Sequence, residues 1–202
     1  NPGSTLGISF TGPDSNYTAT AARCAVTTTI SGAAAGITTL VVIKLRDHIF
    51  DLLACLNGIL AGLVAITASC PWVEPYAAVV IGIIGALVYI GAAMLLLLLK
   101  IDDPLEAFPI HGAVGVWGAF AVGLFAREEL LTISGYGNGN GWEGVFYGGG
   151  GRLLAANCIM ILVVAAWTLV LIVPLFFALN LVGALRISPE MELIGNDVSK
   201  HG

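Results

Sequence analysis

The chain has 202 residues, 57% hydrophobic and 10% charged, with a mean hydropathy of +0.93. Soluble domains carry about a quarter charged residues, so this composition excludes a disordered chain and an ordinary water-soluble enzyme. Eight Lys and Arg against thirteen Asp and Glu, a net charge of −5, also exclude a nucleic-acid partner.

What remains is a membrane domain with length for about five or six spans at ~20 apolar residues each. Charge-free runs mark them as 24–43, 52–73, 75–99, 107–126 and 153–185. None alternates with period two and all are rich in Ala, Leu and Gly, so the expected fold is all-α, a polytopic bundle of five transmembrane helices in the lipid bilayer. Ser69-Cys70-Pro71 and Pro75 predict an early stop to the second run. The fifth is too long for an upright span, which at ~1.5 Å per residue would reach about 50 Å. Pro174 inside it predicts a kink.

The connections set the orientation. Lys44, Arg46, Lys100, Arg186 and Lys200 fall on one side, and Arg23, Arg127 and Arg152 on the other. The excess of basic residues places the C-terminus in the cytoplasm. The first loop is then external, and its Asn16-Tyr17-Thr18 fits a glycosylation sequon. Cys24, Cys55, Cys70 and Cys158 form no C-x-x-C pair and no metal spacing, and read as small residues buried in helices. In the glycine-rich connection between Arg127 and Arg152, residues 139–144 match G-x-G-x-x-G, but no strand precedes them, which rules out a dinucleotide site. Gly32 and Gly36, and Gly58 and Gly62, place glycines on single helix faces, the pattern that lets helices approach closely in lipid.

One ionisable residue lies inside a span. His111 stands in the segment Asp102-Asp103-Pro104-Leu105-Glu106-Ala107-Phe108-Pro109-Ile110-His111-Gly112, with Gly115 and Gly118 beyond it. Ionisable groups within a span are costly and face a cavity or a partner. From position alone, His111 suits a bond to a neighbouring helix as well as a functional role. Asp102, Asp103 and Glu106 precede the helix and are expected to cap its amides. Pro109 leaves carbonyls of the first turns less constrained.

Asp102-Asp103-Pro104 through His111-Gly112 to Gly118, then Gly123-Leu124-Phe125, resembles the signature of the ammonium transporter (Amt/Mep/Rh) family. Asn1-Pro2-Gly3-Ser4 is similar to the end of that family's sixth helix. Cys55-Leu56-Asn57-Gly58 with Ala65-Ile66-Thr67 is similar to its eighth, and Leu185-Arg186-Ile187-Ser188 through Glu192, Gly195, Asp197 and His201 to its cytoplasmic tail. Phe146-Tyr147 followed by Gly148 to Gly151 resembles the plant-type branch.

The resemblance implies that the five runs are helices seven to eleven of an eleven-helix fold. On that reading, residues 1–185 are the second half of the membrane domain, residues 186–202 begin the tail, and the chain is a piece of a longer protein. It further implies a homotrimer in the plasma membrane, moving ammonium or ammonia and also methylammonium, with no enzymatic reaction and no cofactor. His111 then matches one member of a histidine pair in the pore and Ala107 a pore-wall position. Ser4 matches a hydroxyl at the external recruitment site. Gly195, Asp197, Ser199 and His201 fall in a regulatory tail, where Ser199 matches a hydroxyl switched by a kinase. His48, beside Lys44, Arg46 and Asp47, reads as solvated. An ammonium sensor of the same fold, or an Rh-type gas channel, is the alternative.

Overall fold

The computed structural model describes residues 1–5, 11–12, 15–135, 141–195 and 198. By its internal packing the chain divides into two units, Asn1–Ile159 and Met160–Gly202.

In the first unit, a 3₁₀ turn at Pro2–Thr5 and a short pairing of Thr11–Gly12 with Ser15–Asn16 precede α1, Tyr17–Asp47. The helix starts before the expected Cys24 because Asn16 caps it, its Oδ1 accepting from the Ala19 amide at 3.0 Å. Threonines are poor interior residues, yet here their hydroxyls turn back on the helix: Thr29 donates to the Ala25 carbonyl at 2.9 Å and Thr38 to that of Ala34 at 2.7 Å. His48 closes α1 in the left-handed conformation, φ 62°, with its amide on the Lys44 carbonyl.

Asp51 caps α2, Leu52–Thr67, by accepting from the Ala54 amide at 3.0 Å. The helix stops where Ser69-Cys70-Pro71 begins, as the prolines require. Pro75 then opens α3, Pro75–Leu99, in the first turn where its missing N–H costs nothing. A π-helical turn, Phe108–Ala113, runs directly into α4, Val114–Phe125. A short α5, Glu128–Ile133, and a 3₁₀ turn, Val145–Tyr147, follow. The last long helix, α6, spans Arg152–Leu181 and passes through Pro174; the tail carries α7, Pro189–Ile194.

Among the described residues, four stretches are long and apolar enough to cross a membrane: α1, α3, α6 and the continuous Phe108–Phe125; α2, with 16 residues, is shorter. The fold is all-α and that of an integral membrane protein.

Small residues bring α1 to α4 together. A Cβ on Gly62 of α2 would stand 2.5 Å from the Ser31 carbonyl oxygen and 2.9 Å from the Gly32 Cα, both of α1. The Ser31 hydroxyl uses that proximity, donating to the Gly62 carbonyl at 2.8 Å. Ile66, Val73, Ile81 and Val114 are fully buried among these helices. No residue of α6 is buried.

Candidate functional site: the His111 turn

Two carboxylates divide the work at the start of the His111 segment. Asp103 accepts from the Ala107 and Phe108 amides, each at 2.9 Å, and so caps the π turn. Glu106 was expected to do the same and does not. Its backbone is left-handed, φ 54°, which turns the side chain away from the helix amides. The carboxylate Oε2 instead accepts from Asn57 Nδ2 of α2 at 2.8 Å and from the Tyr89 hydroxyl of α3. Asp102 is exposed beside this cap.

The chain enters the turn through an ordinary bond: Pro109, in the first turn, has no amide to give, and the Ile110 amide bonds the Glu106 carbonyl four residues back. The chain re-enters regular helix when the Val114 amide bonds the Pro109 carbonyl, five residues back. Wide turns of this kind are frequent at functional sites. The sequence indicated a weakened ladder at Pro109; the one-residue offset in the hydrogen bonds is a finding of the structure.

His111 lies in this turn and is exposed, with no hydrogen-bond partner among the described residues. Ala107 and Phe108 are exposed too, while Pro109 and Ile110 are buried. Beyond the turn the buried side of α4 is fixed. Trp117 Nε1 donates to the Ile81 carbonyl of α3 at 3.0 Å. A Cβ on Gly118 would meet the Ala65 carbonyl oxygen of α2 at 2.6 Å. The His111 turn is therefore held at both ends by the same two helices, with the imidazole on the uncovered side. A neutral imidazole there can donate from one nitrogen and accept at the other.

Ser4 is placed elsewhere. It is exposed in the Pro2–Thr5 turn and lines a cleft of about 210 Å³ with Thr5, Cys24, Thr67, Cys70 and Trp72. That cleft lies at the C-terminal end of α2, whereas Glu106 binds Asn57 near its N-terminal end, so the structure does not bring Ser4 and His111 together. Asn16 is exposed and serves as the α1 cap. Gly195 ends α7 with φ 85°. Asp197, Ser199 and His201 lie outside the described residues.

Two side-chain groupings have no counterpart in the sequence reading. One is the Asn57–Glu106–Tyr89 set; a lone Asn in the charge-free 52–73 run was its only trace. The other joins three connections. The Arg127 guanidinium lies 4.5 Å from the Tyr147 ring centre, and the Tyr147 and Tyr76 hydroxyls are hydrogen-bonded. Burial, and behind it the bond with Tyr76, pushes the Tyr147 phenol up to about 12. It stays protonated at any physiological pH. Among the described residues no group of three or more His, Cys, Asp and Glu could hold a metal ion.

The family described as Ammonium Transporter Family matches residues 1–202. "Ammonium transporter 1 member 2" of Oryza sativa subsp. japonica is 45% identical over 100% of this chain and 41% of its own length. The Arabidopsis thaliana protein of the same name is 43% identical over 100% of this chain and 40% of its own. Among solved structures, a Mep2 mutant from Candida albicans superimposes with a TM-score of 0.78 at 27% identity, covering 93% of this chain and 44% of that one. A structure described as "Sensor Amt Protein" superimposes with a TM-score of 0.74 at 31% identity, covering 91% and 42%. The chain thus spans about two fifths of the length of the relatives it matches. Matched along its whole length by the family and carrying the Asp103-capped His111 turn, this chain belongs to the Ammonium Transporter Family.

Proposed function

We propose that this chain forms part of the wall of a transmembrane conduit for ammonium or ammonia, which would admit methylammonium as well. The observation that carries the reading is the exposed His111 in an apolar helix of a family member, with Ala107 one turn before it. A cation at the centre of a bilayer costs at least ~2.5–3.5 kcal/mol. Neutral ammonia avoids most of that. An apolar wall with an imidazole suits a species that sheds its proton, because imidazole donates, accepts and takes up a proton near physiological pH.

In this reading His111 is one of two facing pore histidines, the other coming from sequence outside these 202 residues. The pair would titrate as a unit. Ser4 supplies a hydroxyl at the external mouth, and the tail from Arg186 lies in the cytoplasm, where a kinase acting on Ser199 would add about two negative charges. The assembly is a homotrimer in the plasma membrane. The uncovered bulky side chains of α6, Trp167, Leu169 and Phe177 among them, are suited to lipid or to a neighbouring subunit. The protein performs no enzymatic reaction.

A second reading, an ammonium sensor, draws on the likeness to the chain described as "Sensor Amt Protein". Uptake in cells that lack their own ammonium transporters separates the two. The full-length protein should restore ammonium uptake and growth on low ammonium. Signalling with negligible flux at normal surface abundance would favour the sensor and overturn the transport reading.

A further inference from the structure

The Asn57–Glu106–Tyr89 set is more than a structural link. We infer that Glu106 is a positioning residue for the His111 turn: its carboxylate, gripped by α2 and α3, sets where the imidazole stands in the conduit. The inference rests on the transport reading and adds to it the residues that fix the geometry of the histidine.

Asp103 already accepts the free amides at the start of the turn, at 2.9 Å each, so Glu106 is not needed as a cap. Its left-handed backbone is a strained conformation for a residue with a side chain, and it persists only where surrounding contacts hold it. Those contacts are visible. Asn57 and Tyr89 both donate to one oxygen, Oε2, and come from different helices. Tyr89 is itself 3% exposed, so its hydroxyl approaches from a packed ring that cannot swing away.

The position of the grip matters as much as its strength. Glu106 stands two residues before the π turn, whose hydrogen bonds are looser than those of an α-helix. Downstream, Trp117 and Gly118 fix α4 to α3 and α2. Upstream, beside the buried Pro109 and Ile110, the Glu106 carboxylate is the polar tie of the turn to those same helices. If it is removed, the turn keeps its cap and its buried Pro109 and Ile110 but loses the polar bonds that fix its entry, and the His111 ring shifts relative to the wall.

No Lys or Arg pairs with Glu106 among the described residues. Around it, in a cleft of about 150 Å³, stand Asp47, Asp51 and Arg46, the last bonded to Asp47 through two contacts of 2.7 Å. The donors to Glu106 are neutral, so shape and acceptor position, and not ion pairing, define the grip. This separates two substitutions. Glu106→Gln keeps a carbonyl oxygen able to accept from both Asn57 and Tyr89; Glu106→Ala removes the acceptor.

The test compares these variants in the full-length protein at matched surface abundance. It reads initial ammonium uptake, the methylammonium-to-ammonium ratio, and the rate at which diethyl pyrocarbonate labels His111, followed by mass spectrometry. Glu106→Ala should lower uptake about tenfold and shift both the ratio and the labelling rate, because small misplacements in a site are expensive. Glu106→Gln should stay within about twofold of wild type, and Tyr89→Phe should fall between, adding nothing to Glu106→Ala because that variant already breaks the Tyr89 bond as well as the Asn57 bond.

Wild-type uptake, ratio and labelling per molecule in Glu106→Ala would overturn the inference, as would a loss confined to abundance. If Glu106→Ala does not reach the surface, Tyr89→Phe decides, and an unchanged ratio and labelling rate overturns it. Should the unsubstituted protein carry no ammonium, the transport reading fails on its own. The labelling rate still reports whether Glu106 positions His111.

Discussion

The segment from Ala107 through α4 holds positions built by opposite rules. At the packed positions, Gly118 lets the Ala65 carbonyl approach to a distance no side chain would allow, and Trp117 reaches the Ile81 carbonyl. At the others, Ala107 and His111 are uncovered, and a Cβ on Gly115 would meet nothing within 4 Å. The first kind obeys the demands of helix packing in an apolar medium, where backbones must touch. The second is uncovered and, in the proposed reading, faces a passing solute. Packed and uncovered positions thus alternate along one segment, and substitutions at the two kinds should fail in different ways.

The largest effect is expected where the backbones touch. Gly118→Ala forces a methyl to 2.6 Å from a backbone oxygen that cannot yield, and overpacking of this kind costs about 1–3 kcal/mol. Reduced abundance and a lower thermal midpoint should follow. Gly115→Ala, three residues away, should leave both unchanged. Equal losses from the two would erase the contrast between the two kinds of position.

A smaller effect sharpens the same contrast within α1. Thr27 donates to the Arg23 carbonyl at 3.0 Å and to the Cys70 carbonyl, across the bundle, at 2.9 Å. Thr39 is as deeply buried, yet its hydroxyl has no hydrogen-bond partner among the described residues. Thr27→Val should therefore cost about 1 kcal/mol, whereas Thr39→Val should be neutral or stabilising, since it removes an orphaned polar group. Thermal unfolding in detergent measures both. A destabilising Thr39→Val would show that the hydroxyl has a partner not seen here.

The long helices show how much of this was legible from the residues. The α1 and α6 helices have nearly the same length, 31 and 30 residues. Thr, Ser, Ala and Gly line α1, and many of them are buried; Leu, Val, Ile, Trp and Phe dominate α6, and none is. Small residues at helical spacing, such as Gly32, Gly36, Gly58 and Gly62, mark packing in the sequence itself. Helix ends were readable wherever one residue decided them, as at Pro75 and at the break after Thr67. They were less readable where a cap extends a helix into polar sequence, as Asn16 does.

The site divides along similar lines. His111 stood out because an ionisable group in an apolar run is rare, and Asp103 because capping is local. Glu106 was misread because its partners, Asn57 and Tyr89, are 49 and 17 residues away, and only tertiary packing turns its side chain toward them. Ser4 has no local feature beyond a helix-end hydroxyl, and the resemblance alone singled it out.

The central claim is that His111 faces the path of the solute and is not a packing residue. The direct measurement is uptake of ammonium and methylammonium by His111→Ala in the full-length protein, beside wild type at equal surface abundance. The account predicts normal abundance with altered flux or altered discrimination between the two amines. Wild-type flux with wild-type discrimination would contradict it.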